Sequence, residues 1–224
     1  MIRPLDAGLL VVIEGIDGTG KSTLARRLAE KLEQSGENVV LSGEPTQGPF
    51  GRRLRDSANT GRLAPAEELE LFVADRREHV EGLILPSLKK GKLMILDRYY
   101  FSTAAYQGAR GTDWRHILDE NEQFAPNPDL LIFLDLSVEE SLKRIGKRGG
   151  TADSFEQAGA LERVRDIYHS LLAKRLGTVW LNAQEPADVV LDRAIREVVQ
   201  IRGGITPSEL HLDGCARKKL SSGA

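Results

Sequence analysis

Eight residues near the N-terminus, Gly15, Ile16, Asp17, Gly18, Thr19, Gly20, Lys21 and Ser22, stand in the spacing G-x-x-x-x-G-K-S, with Thr23 directly after them. Glycines at those places let successive backbone N–H groups turn toward an anion, and a helix that follows presents its positive end to the same charge. The lysine then reaches the outer phosphates, and the serine hydroxyl is a ligand for Mg²⁺. This is chemistry for a nucleoside triphosphate. The plain alternative is a glycine-rich turn followed by a surface lysine, and the apolar run before the loop and the helical pattern after it weigh against that. Three further groups supply charge. Asp97 and Arg98 follow the apolar run 93–96, where a carboxylate can hold a Mg²⁺-bound water and a guanidinium can fork onto a second phosphate; an exposed ion pair at a strand end is an equal reading. Arg144, Lys147 and Arg148 lead into a glycine-rich stretch, as in a lid that brings charge to a transferring group, or as in a solvated basic helix end. Phe72 and Arg76 lie one helical turn apart, on one face. They suit an aromatic ring stacked on a base beside a donor to a base oxygen, or a core phenylalanine with a snorkelling arginine.

These groups need elements to hold them. Apolar runs at 9–14, 39–41, 93–96, 130–134 and 179–181 read as strands buried on both faces, alternating with helical stretches, which is the pattern of βαβ units on a parallel sheet. Helices are expected over 22–34, 66–90, 138–147, 160–176 and 186–201, with a glycine-rich break at 149–159. Pro86 is expected to kink the long second helix or end its regular part. The expected fold is therefore a three-layer α/β P-loop NTPase fold, a central five-stranded parallel sheet flanked by helices. It spans residues 1–202, with a lid about 144–159, and residues 203–224 read as a flexible C-terminal tail carrying Arg217, Lys218 and Lys219.

Composition narrows the classes. The chain has 224 residues, 31 basic against 33 acidic side chains and a net charge of −2. Near-balanced charge argues against sequence-independent nucleic-acid binding. The longest apolar runs are far below the roughly 20 residues of a membrane helix, and no secretory signal is visible. One cysteine, Cys215, excludes an intramolecular disulfide framework and a cysteine-based zinc cluster. A cytoplasmic protein is the expectation. Nothing matches the Asn-Lys-x-Asp segment with which GTPases read guanine, which leaves a kinase acting on a small molecule as the main reading.

Taken together the segments resemble thymidylate kinases, which phosphorylate dTMP to dTDP. The matching pieces are Ile13 to Thr23, then Glu44-Pro45-Thr46, Gly51-Arg52-Arg53-Leu54-Arg55, Leu71-Phe72-Val73-Ala74-Asp75-Arg76, Asp97-Arg98-Tyr99 through Ala105-Tyr106-Gln107-Gly108, and Pro128-Asp129-Leu130 through Asp135-Leu136. The resemblance implies ATP as donor with Mg²⁺, dTMP as acceptor, and a homodimer. It places Phe72 on thymine, Arg76 on its O4, and Thr103 and Gln107 on the pyrimidine edge. Tyr106 would crowd the sugar C2′, Asp17 would meet the 3′-hydroxyl, and Arg55 and Arg98 would hold the acceptor phosphate. Arg144 would pack on adenine, Arg148 would be the lid arginine, and Lys21, Asp97, Arg98 and Arg148 would carry the catalysis. Two departures stand out. Many bacterial members have Arg where this chain has Gly43, so a phosphate contact is absent or comes from Arg52. Members without a basic lid carry an arginine at the position of Gly18, and the glycine here pairs with a basic lid. The rival readings are a deoxynucleoside kinase, whose neutral acceptor wants a carboxylate base, and a silent nucleotide-binding module.

Overall fold

The computed structural model describes residues 8–61, 63–147 and 155–203. The five apolar runs form β1 (Leu9–Glu14), β2 (Val39–Gly43), β3 (Leu93–Asp97), β4 (Leu130–Asp135) and β5 (Thr178–Asn182). Around them, among the described residues, lie α1 (Lys21–Gln34), α2 (Pro49–Thr60), α3 (Pro65–His79), α4 (Leu85–Lys89), α5 (Tyr100–Gly108), α6 (Trp114–Glu122), α7 (Val138–Lys147), α8 (Phe155–Leu172) and α9 (Ala187–Arg202). Every strand pair is parallel, in the order β2-β3-β1-β4-β5.

Strand alternation divides the core into two. Leu9, Val11 and Ile13 of β1 face Leu28 of α1 and Ala194 of α9, whereas Leu10 and Val12 face Phe101 of α5 and Tyr168 of α8. Sheet and two helical layers thus follow from one alternating strand. The strand order also reverses at β1, between β3 and β4, and that reversal opens a crevice beyond the carboxyl ends of the strands. Glu14, Asp97 and Asp135 all end strands there.

Several elements differ from the sequence expectation, each for a physical reason. The helical stretch expected over 66–90 is α3 followed by a π-helical segment, Val80–Ile84, and then α4, with Pro86 in the first turn of α4. Proline has no N–H to give to the preceding turn, and a wider turn just before it absorbs the missing bond. The helix expected from 160 begins at Phe155, so Gly159 is helical and the break is shorter than 149–159; its N-terminal part, 149–154, lies outside the described residues. The same helix ends at Leu172 rather than 176, because the chain must turn through Gly177 at φ 74°, leaving Leu176 94% exposed. α2, α5 and α6 were not foreseen. α5 is buried nearly all round, from Tyr100 to Ala105, so it carries no amphipathic period to read.

Candidate active site

β1 delivers the chain into the loop at Gly15, φ 149°, where an added Cβ would lie 2.6 Å from the Leu134 carbonyl oxygen of β4. Only glycine lets the loop pass so close to the neighbouring strand. Gly18, φ 82°, is confined in the same way: a Cβ there would meet the Ser141 carbonyl oxygen of α7 at 2.7 Å. An arginine at this position would therefore need α7 to move.

Lys21 opens α1 and is buried, its Nζ donating to the Ile16 carbonyl at 2.8 Å beside Thr19 Oγ1, which donates to the same oxygen at 2.9 Å. Loss of hydration, then repulsion from Arg98, pulls the lysine down to about 7, against the opposing pull of Asp17, Asp97 and Glu14. Next to it, the Ser22 hydroxyl donates to Asp97 Oδ2. Asp97 Oδ1 is buried and has no hydrogen-bond partner among the described residues. A hydroxyl beside an orphaned carboxylate oxygen is a hard-oxygen donor set of the kind Mg²⁺ takes, together with water and substrate phosphates.

Arg98 joins this half of the crevice to the other. Its backbone is left-handed, φ 71°, and its N–H donates to the Ile13 carbonyl at 3.0 Å. The guanidinium pairs with Asp17, donates through Nη1 to Ser102 Oγ at 3.0 Å, and lies over the Tyr106 ring, 5.3 Å from its centroid. Burial works against the Asp17 charge, but Arg98 and then Lys21 outweigh it and hold the carboxyl below the usual carboxylate range. Asp17 also donates its backbone N–H to the Tyr106 hydroxyl at 3.1 Å, and its carbonyl accepts from Ser141 Oγ. Behind Arg98 is Glu14, fully buried, which accepts from the N–H groups of Tyr99 (2.8 Å) and Ser102 (3.2 Å), from Ser102 Oγ (2.6 Å) and from the Tyr168 hydroxyl (2.8 Å). It caps the start of α5 and ties α8 to β1. Burial raises its pKa even against those donors and Arg98. Sequence reasoning gave Glu14 no role, although a charge ending an apolar strand just before a phosphate loop was the available signal.

The second half is a cleft of about 130 Å³ between α3, α5 and the loop after β2, and Phe72, Arg76, Arg98, Thr103, Tyr106 and Gln107 are among its walls. The structure thus brings together six residues named from the sequence. Arg76, 1% exposed, donates through Nε (2.8 Å) and Nη2 (2.6 Å) to Glu44 Oε2, through Nη1 to Asn121 Oδ1 (2.7 Å) and through Nη2 to Thr103 Oγ1 (2.9 Å). Glu44 is held in turn by His79 Nδ1 at 3.1 Å, whose Nε2 meets Ser42 Oγ at 2.8 Å. The snorkelling reading of Arg76 fails: the guanidinium lies inside. Arg55 is not among the cleft walls. It donates to the carbonyls of Pro45 (2.7 Å) and Thr46 (2.5 Å), fixing the loop that carries Glu44. Arg52 lies on the exposed side, donating to the Gln47 carbonyl at 2.8 Å. A side chain at Gly43 would meet the Asp97 carbonyl oxygen at 2.8 Å, which explains why β2 can end so close to β3 here.

On the far side of the loop a cavity of about 270 Å³ is lined by Thr19, Gly20, Thr23, Arg144 and the chain around Ala183–Ala187. Arg144 is held across it, Nε to Glu140 Oε1 at 3.1 Å and Nη2 to the Ala183 carbonyl at 2.9 Å. Arg148 lies outside the described residues. Among the described residues no helix is long and apolar enough to cross a membrane, and no group of three or more His, Cys, Asp or Glu side chains is placed to hold a metal ion.

A family model described as thymidylate kinase matches residues 13–194. A thymidylate kinase of Xanthomonas campestris pv. campestris (strain B100) is 48% identical over 221 residues, covering 96% of this chain and 95% of the relative. One of Xanthomonas oryzae pv. oryzae (strain PXO99A) is 51% identical over 187 residues, 84% and 81% respectively. One of Xylella fastidiosa (strain M12) is 46% identical over 202 residues, 89% and 92%. With a phosphate loop, a reversal of strand order and two flanking cavities in one crevice, and with matches of that extent, the chain belongs to the thymidylate kinase family.

Proposed function

We infer that the crevice carries out the family's reaction, transfer of the γ-phosphate of ATP to dTMP to give dTDP in the synthesis of dTTP, and we propose the following division of roles. The observation that carries it is the position of Arg98, whose guanidinium stands between the phosphate loop, through Asp17, and the acceptor cleft, through Ser102. A phosphate donor bound on one side and a phosphate acceptor on the other would share that charge.

The loop from Gly15 to Thr23 holds the ATP phosphates, and Arg144, with Thr23, walls the cavity that suits the adenosine end. Ser22, and Asp97 through water, are the residues that would hold Mg²⁺. The cation supplies neutralising charge to the phosphates when bound. An acceptor-phosphate oxygen forms a bond to the γ-phosphorus as the bond to the β-bridging oxygen breaks, and ADP leaves. The attacking oxygen is already ionised, so no base is required and catalysis rests on position and charge. Lys21 regains its proton against the donor phosphates, Arg98 brings the acceptor phosphate into line, and Arg148 brings charge from the lid. Phe72 stacks on thymine, Arg76 and Thr103 meet its edge with Gln107, Tyr106 excludes a 2′-hydroxyl and Asp17 meets the 3′-hydroxyl. Arg55 acts on the acceptor phosphate once the Pro45 and Thr46 carbonyls and the Gln47 side chain release it. The 144–159 lid, the 203–224 tail, a homodimer, independence from nucleic acid and a cytoplasmic location belong to the same proposal.

An ADP-release assay with ATP·Mg²⁺ and dTMP, dUMP, dCMP, dGMP, UMP or thymidine tests it. dTMP is expected to turn over best and thymidine not at all. Turnover of thymidine above that of dTMP would make the chain a nucleoside kinase instead, and no turnover with any acceptor would leave a nucleotide-binding module.

A further inference from the structure

Gln107 is fully buried on α5 and lines the acceptor cleft, so the direction of its amide decides what the cleft offers a base. One end of the amide donates and the other accepts. Which end faces where is settled by Glu68, a residue of the first turn of α3 that is only 4% exposed. Its Oε2 accepts from Gln107 Nε2 at 2.8 Å and also from Arg110 Nη1. A carboxylate paired with a guanidinium can only accept, so Gln107 must turn its NH₂ toward Glu68. Among the described residues Gln107 Oε1 then has a single long contact, 3.5 Å from Arg110 Nη1, at the limit of hydrogen bonding. Its acceptor capacity is then largely unspent, in a residue that lines the cleft. A buried carboxylate is costly to keep, and the start of a helix offsets only part of that cost.

We propose that Glu68 is a positioning residue for base specificity: it locks the Gln107 amide with its carbonyl available to the base, so that the cleft takes pyrimidines with an N–H at ring position 3 and rejects cytosine. Thymine and uracil donate from that nitrogen, whereas cytosine presents a lone pair there, an acceptor against an acceptor. The proposal deepens the dTMP reading and rests on contact between Gln107 and the base.

Glu68→Gln is the direct test. A glutamine at 68 pairs with either end of the Gln107 amide, so the lock is lost with little change of shape. The ratio of kcat/KM for dTMP over dCMP is expected to fall at least ~10-fold, because one unmatched hydrogen-bonding pair is removed. Most of the fall should lie in KM, with kcat for dTMP largely kept. An unchanged ratio overturns the proposal. Gln107→Ala separates this from the reading beneath it. If that variant leaves both the dTMP KM and the ratio unchanged, the contact between Gln107 and the base is wrong. If it raises KM while Glu68→Gln leaves the ratio alone, only the positioning role fails. Should Glu68→Gln not fold, ¹⁵N-glutamine spectra of the unmodified protein decide: the Gln107 NH₂ protons should be protected from solvent exchange, with and without dTMP. Protons that exchange freely in either state overturn the lock.

Discussion

On the donor side of the crevice the phosphate loop works through backbone: Gly15 and Gly18 in positive-φ conformations, and a helix opening at Lys21. On the acceptor side the work is done by polar and charged side chains, most of them buried, that hold one another, Glu44 with Arg76 and His79, and Glu68 with Gln107 and Arg110. The contrast follows from what each side must recognise. Triphosphates present the same oxygens whatever base they carry, and main-chain N–H groups with a helix end suffice. A base differs from its rivals in the order of donors and acceptors along one edge, and reading that order needs side chains fixed in direction. Fixing them in a dry site needs partners for the polar atoms that set that direction.

If that contrast is right, the two sides should break differently. The largest effect belongs to Lys21→Ala, which should lower kcat at least ~10²-fold by removing charge from the transferring group, with dTMP affinity nearly intact by titration. Near-normal turnover at saturating ATP would break the comparison at its donor end. Glu44→Ala should act on stability instead. It leaves the Arg76 charge buried with only neutral partners, a loss of about 3 kcal/mol, which for a chain of this size is a fall of roughly 6–12 °C in Tm. The dTMP KM should rise while the ATP KM holds; an unchanged Tm would mean that the buried network is not under the load described.

A subtler effect is a proton. Burial holds Lys21 down to about 7, so above neutral pH it gives up its proton readily and should take one up as phosphates arrive. Calorimetry in buffers of different ionisation enthalpy would count it, and Lys21→Met should abolish it. The same shift sets a sign for folding. Between about 7 and 10.5 the unfolded chain holds the proton that the folded one has lost, so this group makes the empty protein more stable as pH rises through that window. The smallest effect should be that of Arg144→Ala, about a threefold rise in ATP KM with dTMP parameters unchanged, since the role proposed for the residue is only to wall the adenosine end.

The sheet was legible because strands buried on both faces must be largely apolar, and β1 and β4 are apolar up to the acids Glu14 and Asp135 that end them. The loop was legible because its parts are contiguous. The acceptor network was not, because its bonds span 32 residues from Glu44 to Arg76 and 45 from Arg76 to Asn121, and neither was the bond behind Arg98, which spans 154 from Glu14 to Tyr168. No local pattern announces such pairs. Phe72 and Arg76 could be placed on one helix face, yet whether that face pointed to solvent or to a cleft depended on Glu44, Thr103 and Asn121 arriving from elsewhere. α5 escaped for a different reason, since a helix buried on nearly all sides, polar Ser102, Thr103 and Gln107 included, shows no apolar stripe against a polar face.

The left-handed backbone at Arg98 bears on what variation the chain can tolerate. Glycine there would relax the main chain by about 1 kcal/mol and asparagine would accept it at little cost, but neither carries a charge. A lysine keeps the charge, gains no backbone relief and loses the fork that spans Asp17 and Ser102. Local energetics and transfer chemistry thus favour different residues at one position. A library at residue 98 selected for folding alone should drift toward glycine and asparagine, and one selected for growth on dTDP supply should return arginine almost without exception.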